Sequence, residues 1–80
     1  MYEERVVFEG GRVLEIGLSR DRVYVLRLRK GRNSLVEYCN NRASGHVRRA
    51  RGRQSAYEFK SVEQLRYDFE RDAEDAQRQG

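Results

Sequence analysis

Short runs of alternating apolar and polar residues, broken by glycine or polar turn residues, constrain the fold of this chain most strongly. Residues 12–18 and 23–29 form two such runs, and each places every second residue on one face of a strand. Gly10-Gly11 supplies the positive backbone angles of a tight hairpin turn. Because the connections are of hairpin length, the runs predict an antiparallel meander. In the first run, Leu14, Ile16 and Leu18 share one face, and in the second run Tyr24, Leu26 and Leu28 do so. We expect the face of Tyr24, Leu26 and Leu28 to form part of the core. Val36 and Tyr38 share one face of a further strand.

The C-terminal segment predicts a helix over residues 62–78. Ser61 and Gln64 have the spacing of a capping box at its start. Apolar residues then recur at spacings of three and four, which is typical of a helix with one buried face. This stripe comprises Val62, Leu65, Phe69, Ala73 and Ala76.

The predicted fold is therefore α+β, an antiparallel sheet of four or five strands with one C-terminal amphipathic helix packed on one face. It forms a single domain over residues 1–80, with its strands within 3–59. Residues 40–53 contain two glycines and little apolar content, and they show no periodicity. We expect this segment to be a long basic loop or a distorted hairpin arm.

Length and composition narrow the classes of function. A chain of 80 residues has room for one small core but little room for a deep substrate cavity. The single cysteine, Cys39, excludes an intramolecular disulfide, and the first twenty residues carry seven charged side chains. We therefore expect no signal peptide, no membrane span and a cytoplasmic location, which is the host cytoplasm if a phage encodes the protein.

The residues that could carry catalysis or bind a metal are few. Cys39 and His46 are each alone of their kind, and no paired ligand spacing surrounds them. Ser44 lies close to His46, but nothing obvious orients the imidazole for nucleophilic catalysis. The sequence thus predicts a binding protein without cofactor or metal, not an enzyme. A small ribonuclease is a third reading with little support in these residues.

Charge is distributed unevenly along the chain. Residues 1–60 hold 14 basic and 7 acidic side chains, and residues 61–80 hold 3 basic and 6 acidic ones. Arginines cluster between Glu37 and Glu58, and Arg27 and Arg29 project from one face of a single strand. This pattern predicts either a basic surface that binds a nucleic-acid backbone or a solvated loop without a binding role. The predicted partner-binding or nucleic-acid-binding residues are Arg27, Arg29, Arg42, Arg48, Arg49, Arg51 and Arg53.

The junction between the last strand and the helix carries a resemblance to a known family. Residues 56–65, with Phe69 four residues further on, resemble the corresponding junction of small phage type I anti-CRISPR proteins. Those proteins bind a Cas surveillance complex and block its use of target DNA. The same ending also looks like the Pur-type nucleic-acid-binding repeat and the arm-binding domain of phage integrases. The resemblance spans about fourteen residues, and no functional residue carries over from it.

Two functions remain open at this point. The first is an anti-CRISPR-like inhibitor from a phage or mobile element, which binds a nucleic-acid-handling Cas effector and blocks its access to target DNA. The second is direct binding of DNA or RNA through the arginine-rich segment. The oligomeric state does not follow from the sequence.

Overall fold

The chain folds as an antiparallel meander with one helix packed against one face of the sheet. The computed structural model describes residues 2–19, 23–41, 45–50 and 52–79. The six strands pair in sequence order, and every neighbouring pair is antiparallel. The elements are β1 (Tyr2–Val7), β2 (Arg12–Leu18), β3 (Tyr24–Lys30), β4 (Asn33–Asn41), β5 (Gly45–Ala50), β6 (Arg53–Ala56) and α1 (Val62–Gln79). The α+β class and the C-terminal helix are confirmed, but the sheet has six strands instead of four or five.

Of the two structures expected for residues 40–53, the long basic loop is wrong, because β5 lies within this segment and β6 begins at its end. The segment is a hairpin arm instead, since β5 pairs antiparallel with both β4 and β6. In β5, Val47 is buried opposite Cys39, and Arg48 lies opposite Tyr38. The strand escaped detection because a charged residue, Arg48, occupies a position on the side facing the helix. The Arg48 side chain is tolerated at this position because it forms an ion pair with Asp72 of α1.

The hydrophobic core lies between the sheet and α1. The predicted core face of β3 is confirmed, since Tyr24, Leu26 and Leu28 are all buried. Leu65, Phe69 and Ala73 of the helix stripe complete the same cluster, whereas Val62 is exposed. The remaining buried members of the cluster are Ile16, Val36 and Tyr38.

Local signals in the sequence fix the start of the helix and the first hairpin. The backbone N–H of Gln64 donates to the Ser61 hydroxyl oxygen at 3.0 Å, and the N–H of Leu65 donates to the Ser61 carbonyl at 2.9 Å. Ser61 thus caps the first turn as predicted. The reciprocal half of the capping box is not formed, because the Gln64 side-chain amide donates to Asp68 Oδ1 at 2.9 Å. Gly10 and Gly11 both have φ of 83°, a region that side chains other than glycine rarely adopt. The turn between β1 and β2 therefore depends on this pair.

Replacing Phe69 with alanine tests how far the fold depends on the helix stripe. Phe69 has no exposed surface, and removing such a ring costs about 3–5 kcal/mol. A domain of this size has a total stability of roughly 4–12 kcal/mol, so Phe69→Ala should be largely or partly unfolded. Urea titration followed by circular dichroism measures the change. Tyr67→Ala is the matched control, because Tyr67 lies on the same helix but is 61% exposed. Equal destabilisation by the two variants would contradict this core.

Candidate binding surfaces

The sheet face that α1 leaves uncovered, here called the open face, carries a row of charges that alternate in sign. The register places one residue from each of five adjacent strands in line across the sheet. Opposite charges on directly facing positions stabilise neighbouring strands. This charge row consists of Arg5, Glu15, Arg27, Glu37 and Arg49.

Ion pairs within the open face engage Arg27, Arg29 and Arg49. Arg27 Nε lies 3.0 Å from one carboxylate oxygen of Glu37, and an Arg49 guanidinium nitrogen lies 3.4 Å from the other. Arg29 Nε pairs with Glu15 at 2.9 Å, and hydrogen bonding by Arg29 holds the pKa of Glu15 below its usual value. Each of these three arginines therefore already has a carboxylate partner in the same sheet.

On the opposite face, Arg48 links the sheet to the helix. Its Nε lies 2.7 Å from Asp72 Oδ2 and donates to the Tyr38 hydroxyl at 2.9 Å. The Tyr38 hydroxyl in turn donates to Asp72 Oδ2 at 2.5 Å. Burial raises the pKa of Tyr38, and the hydrogen bond to Asp72 raises it further. Burial of Asp72 opposes its ionisation, but hydrogen bonds from Arg48 and Tyr38 outweigh this effect and lower the pKa of Asp72.

Tyr57 and His46 anchor the segment between β6 and α1. The Tyr57 hydroxyl donates to Asp68 Oδ2 at 2.6 Å, and its ring meets that of Tyr38 edge to face at 4.9 Å. Tyr57 thus packs at the edge of the core. His46 Nδ1 lies 2.8 Å from the Tyr24 hydroxyl, and its ring stacks on Phe59 at 5.2 Å. His46 therefore lies in a strand, with its ring half-buried against two aromatic side chains that the sequence did not indicate.

An open groove of 1280 Å³, here called the helix-side groove, runs between α1 and strands β4–β6. Arg12 and Lys30 at one end of the sheet also face it. Five cations, three carboxylates and several apolar side chains line it, so its charge is mixed with a basic excess. The charged members are Arg12, Lys30, Arg48, Arg53, Arg71, Asp68, Asp72 and Asp75, and the apolar members include Leu35, Val36, Ala50 and Ala76.

Three cations of this groove differ from the paired arginines. Arg12 and Lys30 face each other directly across β2 and β3, and Arg53 begins β6 at the same end of the sheet. Within the described residues, none of the three forms an ion pair or a side-chain hydrogen bond. Arg12, Lys30 and Arg53 are here called the free cations of the groove. Arg71 of α1 also forms no ion pair with a described residue, but its charge acts on the neighbouring Asp72.

The structure separates the predicted arginines instead of bringing them onto one surface. Arg27, Arg29 and Arg49 lie on the open face, whereas Arg48 and Arg53 lie on the helix side. Arg42 and Arg51 lie outside the described residues. Of the five arginines that the structure places, only Arg53 is without a partner in the described part of the chain.

Sequence reasoning missed Arg12, Lys30 and Arg71 as members of a common surface. They belong to β2, β3 and α1 and are far apart in the chain, so no local cluster marks them. The strand register contains one signal that would have indicated this surface. Two cations on directly facing positions are unfavourable in an antiparallel pair, and Arg12 opposite Lys30 is such a pair.

Comparison with known proteins gives no further assignment, since no family model, curated protein or solved structure matches this chain. Across the described ranges, no three or more histidine, cysteine, aspartate or glutamate side chains are grouped so as to hold a metal ion. Helix α1, the one helix in the part of the chain that the structure describes, is not apolar enough to span a membrane.

Replacing Asp72 with asparagine tests the link between sheet and helix through its pH dependence. The pKa of Asp72 lies below its usual value of 3.8 in the folded chain, so its ionised form stabilises the fold above that pH. This stabilisation is lost as the pH falls through the folded-state pKa. At neutral pH, Asp72→Asn should lower the free energy of unfolding by about 1–3 kcal/mol, because Arg48 loses its charged partner.

The difference between wild type and Asp72→Asn should shrink as the pH falls below about 4. Urea titrations at a series of pH values measure it. Asp75→Asn provides the control, since Asp75 lines the same groove without an ion pair among the described residues. A difference that stays constant down to pH 2 would refute this role of Asp72.

Proposed function

We propose that this chain is a small non-catalytic binding protein, an inhibitor of the anti-CRISPR kind. In this proposal it docks on a Cas complex that handles nucleic acid and blocks the access of that complex to target DNA. The size of the chain and the resemblance of residues 56–69 to phage type I anti-CRISPR proteins support this choice.

The observation that carries the proposal is the internal balance of the predicted arginines. Arg27, Arg29, Arg48 and Arg49 each pair with a carboxylate of the chain itself. A surface that binds a nucleic-acid backbone neutralises its phosphates with cations that are not already paired with carboxylates. Cations already held by glutamate and aspartate are poorly suited to that role, which favours a protein partner over a phosphate backbone.

The helix-side groove adds a second feature that suits a protein partner. It combines free cations with carboxylates and apolar side chains in one concave surface. Specific protein interfaces have such a mixed character, with an apolar centre and a charged rim. A protein partner would meet the groove with side chains of both kinds.

A gel-shift assay with purified type I Cas surveillance complexes tests the inhibitor function. Excess protein should abolish the binding of target DNA by the complex of at least one subtype, because the bound inhibitor excludes the duplex. A small basic protein of the same net charge, unrelated in fold, controls for displacement by charge alone. Unchanged target binding by the complexes of every type I subtype would refute the proposal.

Direct binding of nucleic acid is the second candidate, and one specific observation favours it. Arg12, Lys30 and Arg53 lie at the same end of the sheet, and the structure gives them no carboxylate partner within the described residues. Arg32 lies in the adjoining turn between β3 and β4. Together these side chains place basic charge along one end of the sheet, where they would contact phosphates.

Anisotropy measurements with labelled duplex and single-stranded DNA and RNA across a salt series test this second candidate. The triple variant R12A/K30A/R53A should reduce the salt slope by roughly one unit per lost phosphate contact. Lys60→Ala is the control, because Lys60 is exposed and lies beyond β6 in the segment before α1. A slope that is equal in wild type and in the triple variant would count against nucleic-acid binding at this end.

A further inference from the structure

We propose that the helix-side groove binds an acidic, partly apolar segment of a partner protein in an extended conformation. Arg12, Lys30 and Arg53 hold the carboxylates of that segment. This inference rests on the proposed function, for which it specifies the chemistry of the docking segment. It assigns the contact to the groove and not to the open face.

The facing pair of Arg12 and Lys30 is the first argument. Elsewhere in the sheet, a basic residue that faces a charged neighbour faces a glutamate, as Arg27 does with Glu15 and Glu37. Like charges on directly opposite positions destabilise a strand pair. An anion seated between Arg12 and Lys30 relieves this repulsion, so the pair is costly in the free protein and favourable in a complex.

The groove lining distinguishes a protein segment from a nucleic acid. Asp68, Asp72 and Asp75 share the groove with the free cations. A nucleic-acid backbone carries closely and regularly spaced charges, so a strand laid along the groove would bring phosphates towards these carboxylates. A protein segment with spaced carboxylates avoids that repulsion, and its apolar side chains fit against Leu35 and Ala76.

The edge of the sheet indicates the conformation of the bound segment. β6 is the last strand in the sheet order, and all four of its residues are exposed. Arg53, Gln54 and Ser55 of this strand line the groove. Neighbouring strands lie about 4.8 Å apart, so Lys30 on β3 and Arg53 on β6 are roughly 14 Å apart across the sheet. A segment that crosses the groove from this edge to the facing pair of Arg12 and Lys30 must therefore be extended.

Titration with a fluorescein-labelled peptide in which aspartate and leucine alternate tests the groove in the full chain. Wild type should bind it saturably, with Kd below ~1 mM. The double variant R12A/R53A should bind about tenfold more weakly, as expected for the loss of two partly exposed ion pairs. Arg5→Ala, on the open face, should bind like wild type. Thermal unfolding by circular dichroism verifies that each variant folds.

Heteronuclear NMR locates the peptide and compares it with a length-matched lysine–leucine peptide and with oligothymidylate. Shifts on addition of the acidic peptide should cluster in β6, at the starts of β2 and β4 and in the second half of α1. Absence of saturable binding would overturn the inference, and so would equal weakening by Arg5→Ala or tighter binding of oligothymidylate at the same residues.

The two proposals fail in different ways. If the acidic peptide binds in the groove but no Cas complex loses its DNA, the inhibitor function is wrong and the groove assignment stands. If R12A/R53A still displaces DNA from a Cas complex as well as wild type does, the groove assignment is wrong and the inhibitor function stands.

Discussion

One helix can cover only one face of a six-stranded sheet, and the rest of the structure follows from this constraint. The covered face holds the apolar core, with Leu26, Leu28, Leu65 and Phe69 fully buried. The other face remains in contact with water, so its side chains must be well hydrated and must also stabilise the pairing of neighbouring strands. The charge row meets both requirements, because alternating arginines and glutamates on facing positions attract each other across the strands. Part of the high charge content of the chain is thus a consequence of its architecture.

Sequence reasoning recovered the elements whose patterns are local. Alternation marked β2, β3 and β4, and the capping box with its apolar stripe marked α1. It failed where a contact from a distant part of the chain allows a charged or polar residue to occupy a half-buried strand position. Arg48 on the helix side of β5 interrupts the apolar alternation, and only Asp72, 24 positions later in the chain, makes that position tolerable. The half-buried position of His46 was missed for the same reason, since its aromatic neighbours come from β3 and from the segment before the helix.

The site was harder to predict than the fold because charge alone does not tell whether a cation is available. The arginine-rich segment contains Arg48 and Arg49, and both pair with carboxylates from other elements. Conversely, Arg12 and Lys30 lie in otherwise ordinary strands and become conspicuous only when the register places them opposite each other. Residue type gives the charge of a surface, and strand register decides how much of that charge is free.

The sequential order of the strands has a consequence for how the chain reaches its fold. Every strand pairs only with its neighbours along the chain, so each step of sheet formation closes a short connection. The link between α1 and β4 is different, because Tyr38 contacts Asp72 across 34 positions. Since closing short loops is fast and non-local contacts slow folding, we expect helix docking to set the height of the kinetic barrier. The Tyr38–Arg48–Asp72 cluster would then form late, after the hairpins have assembled.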